Sequence, residues 1–254
     1  MALTVRKLFR LPLRQTEGLL ESLFAQRGQT LDVPDYSTLS RRGRFLLVEL
    51  PRDDKEEIHV VIDSNGVKIY GDGEWQRKKR GKTKKRGWKK IHVAIDENGE
   101  VRATDVTDED TADTSVTESQ LNQEQATIVS FHGDGAYDKR KVYTALDKRG
   151  VQHIAIPLRK NAKIWRQGNR NGPKHLRDEN LRVIRKHGRT YWKEASQYHQ
   201  RSPVENTIFR YKTIPGDKVL SRDDSRQRTE LKLGFSILNR MFQLGMPDSY
   251  AVTV

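Results

Sequence analysis

Three acidic residues of this 254-residue chain have the chemistry and the setting of metal ligands. Asp63 ends the run IHVVID, Asp134 ends ATIVSFHGD, and Glu205 lies within SPVENTIFRY. A short apolar run rich in β-branched residues reads as a buried strand. A carboxylate at the end of such a strand costs several kcal/mol to desolvate unless something compensates it. Mg2+, which takes hard oxygen ligands, is an efficient compensator. Each residue taken alone has a plainer reading. DSNG and DGAYD are turn sequences, and Ser202-Pro203-Val204-Glu205 fits a capping box with Ser202 as N-cap and Glu205 reaching back. Helical spacing strengthens the case for Glu205. At about 100° per residue, Val204, Ile208 and Tyr211 fall within about 60° of one another as an apolar stripe. Glu205 and Lys212, seven residues apart, align beside that stripe. A carboxylate on this border can reach a site at a sheet edge, and a lysine on the same line can hold its phosphate.

The elements that must position these groups are legible in the hydropathy pattern. The first ~45 residues read as helical: Leu19, Leu20, Leu23 and Phe24 mark one face, and Gly28 is a C-cap. PDYSTLSRR predicts a second, shorter helix starting at Pro34 and Asp35, and the pair resembles a helix-turn-helix. From Glu56 the pattern becomes a strand (58–63), an antiparallel hairpin of IHVAID and EVRATDV turning at 97–99, and a helix near 115–125. A strand over 126–134, a helix over 138–148 closed by Gly150, and a strand over 152–157 follow. Helices are predicted over 202–213 and 224–243, the last with Phe235, Leu238, Met241 and Phe242 on one face. That order predicts an α/β layer with a mixed sheet.

Charge identifies a partner. The formal net charge is +14, yet residues 77–90 and 159–193 together carry +20. Residues 96–118 carry nine acids against Arg102 alone. Both basic segments contain aromatic residues: Trp88 in the first, Trp165, Tyr191 and Trp192 in the second. Cations for phosphates with interleaved rings for stacking suit DNA. The chain has no cysteine, which excludes a disulfide scaffold, a zinc–thiolate site and a thiol nucleophile. It has neither an apolar run long enough to span a membrane nor a signal-peptide core near Met1. His92 and His132 lack metal-site spacing and read as ordinary strand residues.

The string Tyr198-x2-Arg201-x3-Glu205-x6-Lys212 matches the YREK signature of bacterial insertion-sequence transposases of the DDE type. LPLRQTEGLLESLF, VPDYSTLSRR, DSNGVKIYGDGEW, GDGAYD, IPLRKNA, YHQRSPVENTIFRYKT and LNRMFQLGMP also resemble segments of that family, in its insertion sequence five branch. The resemblance runs over essentially the whole chain.

It implies a ribonuclease-H-like mixed sheet with helices over 56–246, a basic insertion over 159–197 before the last catalytic helix, and a small helical, helix-turn-helix-like DNA-binding region over 1–50. It implies that Asp63, Asp134 and Glu205 form a catalytic triad holding two Mg2+ ions, with Mn2+ as a substitute, which would clamp a DNA phosphodiester. Tyr198, Arg201 and Lys212 are carried over as DNA contacts. The expected reaction is nicking of double-stranded DNA at transposon ends and strand transfer into target DNA. The expected assembly is a homodimer on DNA, bacterial, cytoplasmic and nucleoid-associated, with no membrane partner. Family members commonly carry some tens of residues before the segment resembling LPLRQTEG, whereas this chain begins about a dozen before it. The alternative expectation is therefore a shortened copy acting only as a DNA-binding protein.

Overall fold

A computed structural model describes residues 1–69, 87–165 and 175–245. In chain order its elements begin with α1 (Ala2–Phe9), α2 (Leu13–Gln26), α3 (Tyr36–Phe45), β1 (Glu57–Ile69), β2 (Trp88–Ile95) and β3 (Val101–Asp108). Next come α4 (Thr117–Asn122), β4 (Thr127–His132), α5 (Arg140–Lys148), β5 (His153–Ala155) and α6 (Leu176–Ala195). The chain closes with α7 (Ser202–Tyr211), β6 (Lys218–Val219) and α8 (Asp224–Gln243). Cα packing divides it into two compact units: Asp53–Gly66 with Lys89–Phe209, and Met1–Arg52 with Val67–Trp88 and Arg210–Val254. Among the described residues no helix is long and apolar enough to cross a membrane.

The unit that carries the three acids is built on a mixed sheet in the order β3-β2-β1-β4-β5. β1, β4 and β5 run parallel, with Val60 opposite Phe131 and Phe131 opposite Ile154, while β2 and β3 form the predicted antiparallel hairpin. This is the ribonuclease-H-like α/β arrangement the sequence pointed to. Parallel strands are buried on both faces, and Val60, Val61 and Ile62 in succession are at most 2% exposed. One face packs Ile58, Ile62, Phe131 and Ile154 against Val142 and Leu146 of α5. Arg102, the lone cation of the acid-rich 96–118 stretch, is buried between Glu100 and Glu124, at 2.9 and 2.7 Å. His92 is also buried, and its Nε2 lies 2.8 Å from the Thr107 hydroxyl, which donates to the Asp108 carbonyl. With the Thr107 proton donated to the Asp108 carbonyl, the contact requires a proton on His92 Nε2, and burial keeps the ring neutral.

The other unit is mainly helical. The Gly28 cap forms, with the Gly28 and Gln29 amides donating to the Ala25 and Phe24 carbonyls, and Asp35 caps α3 through the Ser37 and Thr38 amides. Residues 27–35 separate α2 from α3, a longer connection than the turn of a typical helix-turn-helix. The helix Ala2–Phe9, which the sequence reading had not separated from α2, packs with α3 against α8. Glu230 on α8 is buried and accepts from the Leu220 and Ser221 amides, both at 2.9 Å, beside Arg6 at 3.4 Å and Lys7 at 3.7 Å. Burial pushes the Glu230 carboxyl up, but Lys7, Arg6, the Leu220 amide and the Ser221 side chain outweigh it and hold it below the usual range.

Two helix predictions need correction. On α8, Phe235 and Leu238 are buried as expected, but Met241 is exposed and Phe242 only half-buried. Leu231 and Gly234 complete the buried face instead, against Tyr211. The helix predicted over 202–213 ends at Tyr211 and widens into a π-helical turn over Lys212–Gly216.

Gly234 cannot carry a side chain without displacing Tyr211, because a Cβ there would lie 2.6 Å from the ring. Gly234→Ala at an exposed helical position would stabilise by about 1 kcal/mol; here it should destabilise by about 1–3 kcal/mol through overpacking, read from urea unfolding. Burial pushes the His92 imidazole down to about 4. A lowered histidine contributes stability that is present above its unfolded value of about 6.5 and lost as pH falls toward the folded one. The melting temperature should therefore fall between pH 6.5 and 4, and His92→Gln should flatten that slope.

Candidate active site

Asp63 lies within β1 rather than at its end, because the strand continues to Ile69. Its carboxylate accepts from the Ser64 amide at 2.9 Å and from Arg201 Nη2 at 3.4 Å. Asp134 stands two residues past β4, where it caps a 3-10 turn (Gly135–Tyr137) by accepting from the Ala136 amide at 2.8 Å. The turn reading of DGAYD is thus correct and compatible with a second use of the same carboxylate. Packing fixes the loop. A Cβ on Gly133 would lie 3.2 Å from the Tyr137 ring, which is buried edge-on to Phe131. Asp138 forms a buried two-point pair with Arg177 of α6, at 2.6 and 3.1 Å.

Glu205 stands in the first turn of α7. The capping box does not form: Ser202 has helical angles, φ −52° and ψ −40°, and a 3-10 turn over Tyr198–Arg201 leads straight into the helix. Val204 and Ile208 are buried as the stripe predicted, and the Thr207 hydroxyl donates to the Gly99 carbonyl in the β2–β3 turn at 3.3 Å. These contacts set the helix on the hairpin and leave Glu205 exposed, with Arg201 Nη1 3.6 Å from its Oε1. Lys212 belongs to the other unit and opens the π-helical turn, so the α-helical alignment with Glu205 stops one residue short of it.

Arg201 is the common partner. Its guanidinium touches Asp63 and Glu205 and lies within hydrogen-bonding reach of the Tyr198 hydroxyl. Among the described residues its buried Nε has no hydrogen-bond partner. The Tyr198 ring leans on Trp192, centroids 5.8 Å apart. Burial pushes the Asp63 carboxyl up, and Asp134 and Glu205 push it the same way; the Ser64 amide and Arg201 oppose them without reversing the shift. The three acids therefore share one electrostatic neighbourhood.

Their chemistry fits a divalent metal, since all are hard oxygen donors and like charges so placed need a cation. They do not converge as a finished cage: among the described residues no group of three or more His, Asp or Glu is arranged to hold a metal ion. Two further groups at the site escaped the sequence reading. Asp113, in the 3-10 turn Asp113–Ser115, hydrogen-bonds Ser64 and pairs with Lys90 at 3.0 Å. The buried Tyr137 hydroxyl lies in the field of Asp113, Asp63 and Asp134, with its pKa raised by burial first and those charges second. TADTS carries no periodicity that would mark Asp113, and Tyr137 reads as core.

The described part of the second basic segment is largely helix, and α6 bends at Gly188. Its rings divide by role. Trp192 is buried and donates to Asn180 Oδ1 at 3.1 Å; Trp165 packs among Tyr143, His175, Arg140 and Arg177. Tyr191 is half exposed and leans on His187. Arg185 and Arg189 tie the 158–162 loop to α6 through the Ala162 and Leu158 carbonyls. Arg159, Lys160, Lys163 and Lys186 remain exposed on this surface. Residues 77–86 of the first basic segment, and 166–174 of the second, lie outside the described residues.

Comparison with known families gives two matches. A model described as the transposase DDE domain matches residues 54–240, and a second model of the same description matches residues 1–72.

The Arg177–Asp138 pair generates a contrast in stability. Asp138→Ala removes the two-point partner of a buried guanidinium, leaving it Asp178 at 3.5 Å and the Lys163 carbonyl, and should cost about 3 kcal/mol, the low end for a broken buried pair. Glu179→Ala removes only the exposed pair with Arg182 and should cost under about 1 kcal/mol. Chemical denaturation of the two variants checks both.

Proposed function

The chain belongs to the DDE transposase family, and from that premise we propose that it is an insertion-sequence transposase of the insertion sequence five branch with a YREK signature. Transposases of this family act on DNA and use a divalent metal. The reaction we assign is nicking of double-stranded DNA at the element's ends, followed by strand transfer into target DNA. The observation that carries this reading is the meeting of Asp63 from β1, Asp134 after β4 and Glu205 from α7 in one charged neighbourhood around Arg201.

Asp63, Asp134 and Glu205 would hold the metal, two Mg2+ ions or Mn2+ in their place, which when bound supplies charge neutralisation at a phosphodiester and a more acidic water. The chain's own groups do the remaining work. The β1–β4 pairing and the α7–hairpin contact hold the carboxylates at fixed separation. Arg201, whose Nε has no partner among the described residues, is placed to donate to a phosphate oxygen, and Tyr198 beside it to contact base or backbone. Lys212 is assigned a phosphate contact on the strength of the signature. Arg159, Lys160, Lys163 and Lys186 form a backbone-tracking surface that needs no sequence readout. The helices of residues 1–50 take the role of end recognition. We assign a homodimer as the working species on DNA, in the bacterial nucleoid.

Purified protein should nick a supercoiled plasmid carrying the element's ends in Mg2+ and join those ends to a second plasmid. Glu205→Gln should bring both steps below detection while leaving the melting temperature and duplex affinity near wild type. Duplex binding without metal-dependent nicking by wild-type protein would reduce the chain to a DNA-binding protein, and nicking retained by Glu205→Gln would remove that residue from the triad.

A further inference from the structure

The position of Arg201 has a consequence for when the site can take up metal. Its guanidinium bears on Asp63 Oδ2 at 3.4 Å and on Glu205 Oε1 at 3.6 Å, two of the oxygens that the preceding assignment gives to the metal. It is about four-fifths buried, so its charge is poorly screened. A divalent ion binds carboxylate oxygen at about 2.0–2.1 Å, and a cation there lies close against the guanidinium. The arginine and the metal are competing counterions for the same carboxylates. In the free protein the arginine occupies that place beside both acids. The acids do not converge as a cage among the described residues. Among the described residues Arg201 also spends none of its buried Nε on an acceptor, so a better acceptor can draw it away.

We propose that Arg201 is a positioning residue that couples metal binding to DNA binding: it withholds Asp63 and Glu205 from metal until a DNA phosphate takes over its guanidinium. The inference rests on the assignment of these acids as metal ligands, and it adds the order in which the site assembles. A backbone phosphate offers Arg201 a charged two-point acceptor. Once the guanidinium turns toward it, Asp63 and Glu205 lose their neutralising partner, and their attraction for a divalent cation rises. By linkage the effect is reciprocal, so the metal strengthens DNA binding by the factor by which DNA strengthens metal binding. Premature metal loading, and with it indiscriminate hydrolysis, is suppressed by the residue that later grips the substrate.

The test is Mn2+ binding to the full chain, followed by the loss of the free-ion electron paramagnetic resonance signal, with and without a blunt random-sequence DNA duplex. Wild-type protein should bind Mn2+ at least about tenfold more tightly with duplex than without it. Arg201→Met should bind Mn2+ at least about tenfold more tightly than wild type in the absence of DNA, and the duplex should add little further. Arg201→Lys, which keeps the charge but not the two-point geometry, should fall between them. A damaged fold would weaken metal binding, so tighter binding by the variant is not a structural artefact. Equal or weaker Mn2+ affinity of Arg201→Met without DNA overturns the coupling. Asp134→Ala separates this failure from that of the parent assignment. If Mn2+ binding to the wild-type complex survives Asp134→Ala, the triad is wrong; if it is lost while Arg201→Met changes nothing, only the coupling is wrong.

Discussion

The constraint on which the acid-bearing unit turns is the gathering of like charge beside a buried sheet. Asp134 and Glu205 add to the cost of ionising Asp63, and the fold brings the three together all the same. Stability alone would not select that arrangement, because an uncompensated carboxylate in a part-buried setting opposes folding. Arg201 makes it tolerable by touching two of the three acids from a turn that feeds directly into the Glu205 helix. Much of the surrounding architecture serves to fix the distance from that guanidinium to each acid. The parallel β1–β4 pairing fixes Asp63 against Asp134, and the contact of Thr207 with the β2–β3 turn fixes Glu205 against the sheet.

The helix between the fifth strand and the Tyr198 turn illustrates how a basic segment can be structural and functional at once. Arg177 is spent on Asp138, and Arg185 and Arg189 on backbone carbonyls of the 158–162 loop. These are internal ties that net charge counts as though they were free for DNA. Trp192 closes the underside and supports Tyr198. The cations left exposed are a subset of those in the sequence. Part of the positive charge of the segment is therefore a means of docking α6 rather than free surface charge.

How much of this was legible beforehand follows from the range of the forces involved. Strands that bury β-branched residues on both faces leave a local signature, so β1, β3, β4 and the hairpin were readable, as were the caps at Gly28 and Asp35. The buried stripe of Val204, Ile208 and Tyr211 was readable for the same reason. Features decided by distant partners were not. Ser202-Pro203-Val204-Glu205 looks like a capping box in isolation, but the preceding turn stays helical because Tyr198 is anchored on Trp192 and Arg201 on Asp63. The π-helical turn at Lys212 broke an extrapolation that assumed constant α-helical pitch. Asp113 and Tyr137 join the site only through tertiary placement, and neither has a spacing that would reveal it.

Arg201 stands four residues before Glu205. On a regular helix that spacing gives only a surface ion pair worth a few tenths of a kcal/mol. Here the arginine sits on a 3-10 turn, which lets its guanidinium reach past Glu205 to an aspartate 138 positions away in sequence. A lysine could balance the charge but could not address two carboxylates at once in a defined plane. The same planar fork suits a phosphodiester. Geometry that reconciles two acids in the free protein is thus also geometry that a phosphodiester's paired oxygens would match, because carboxylate and phosphate acceptors have the same shape.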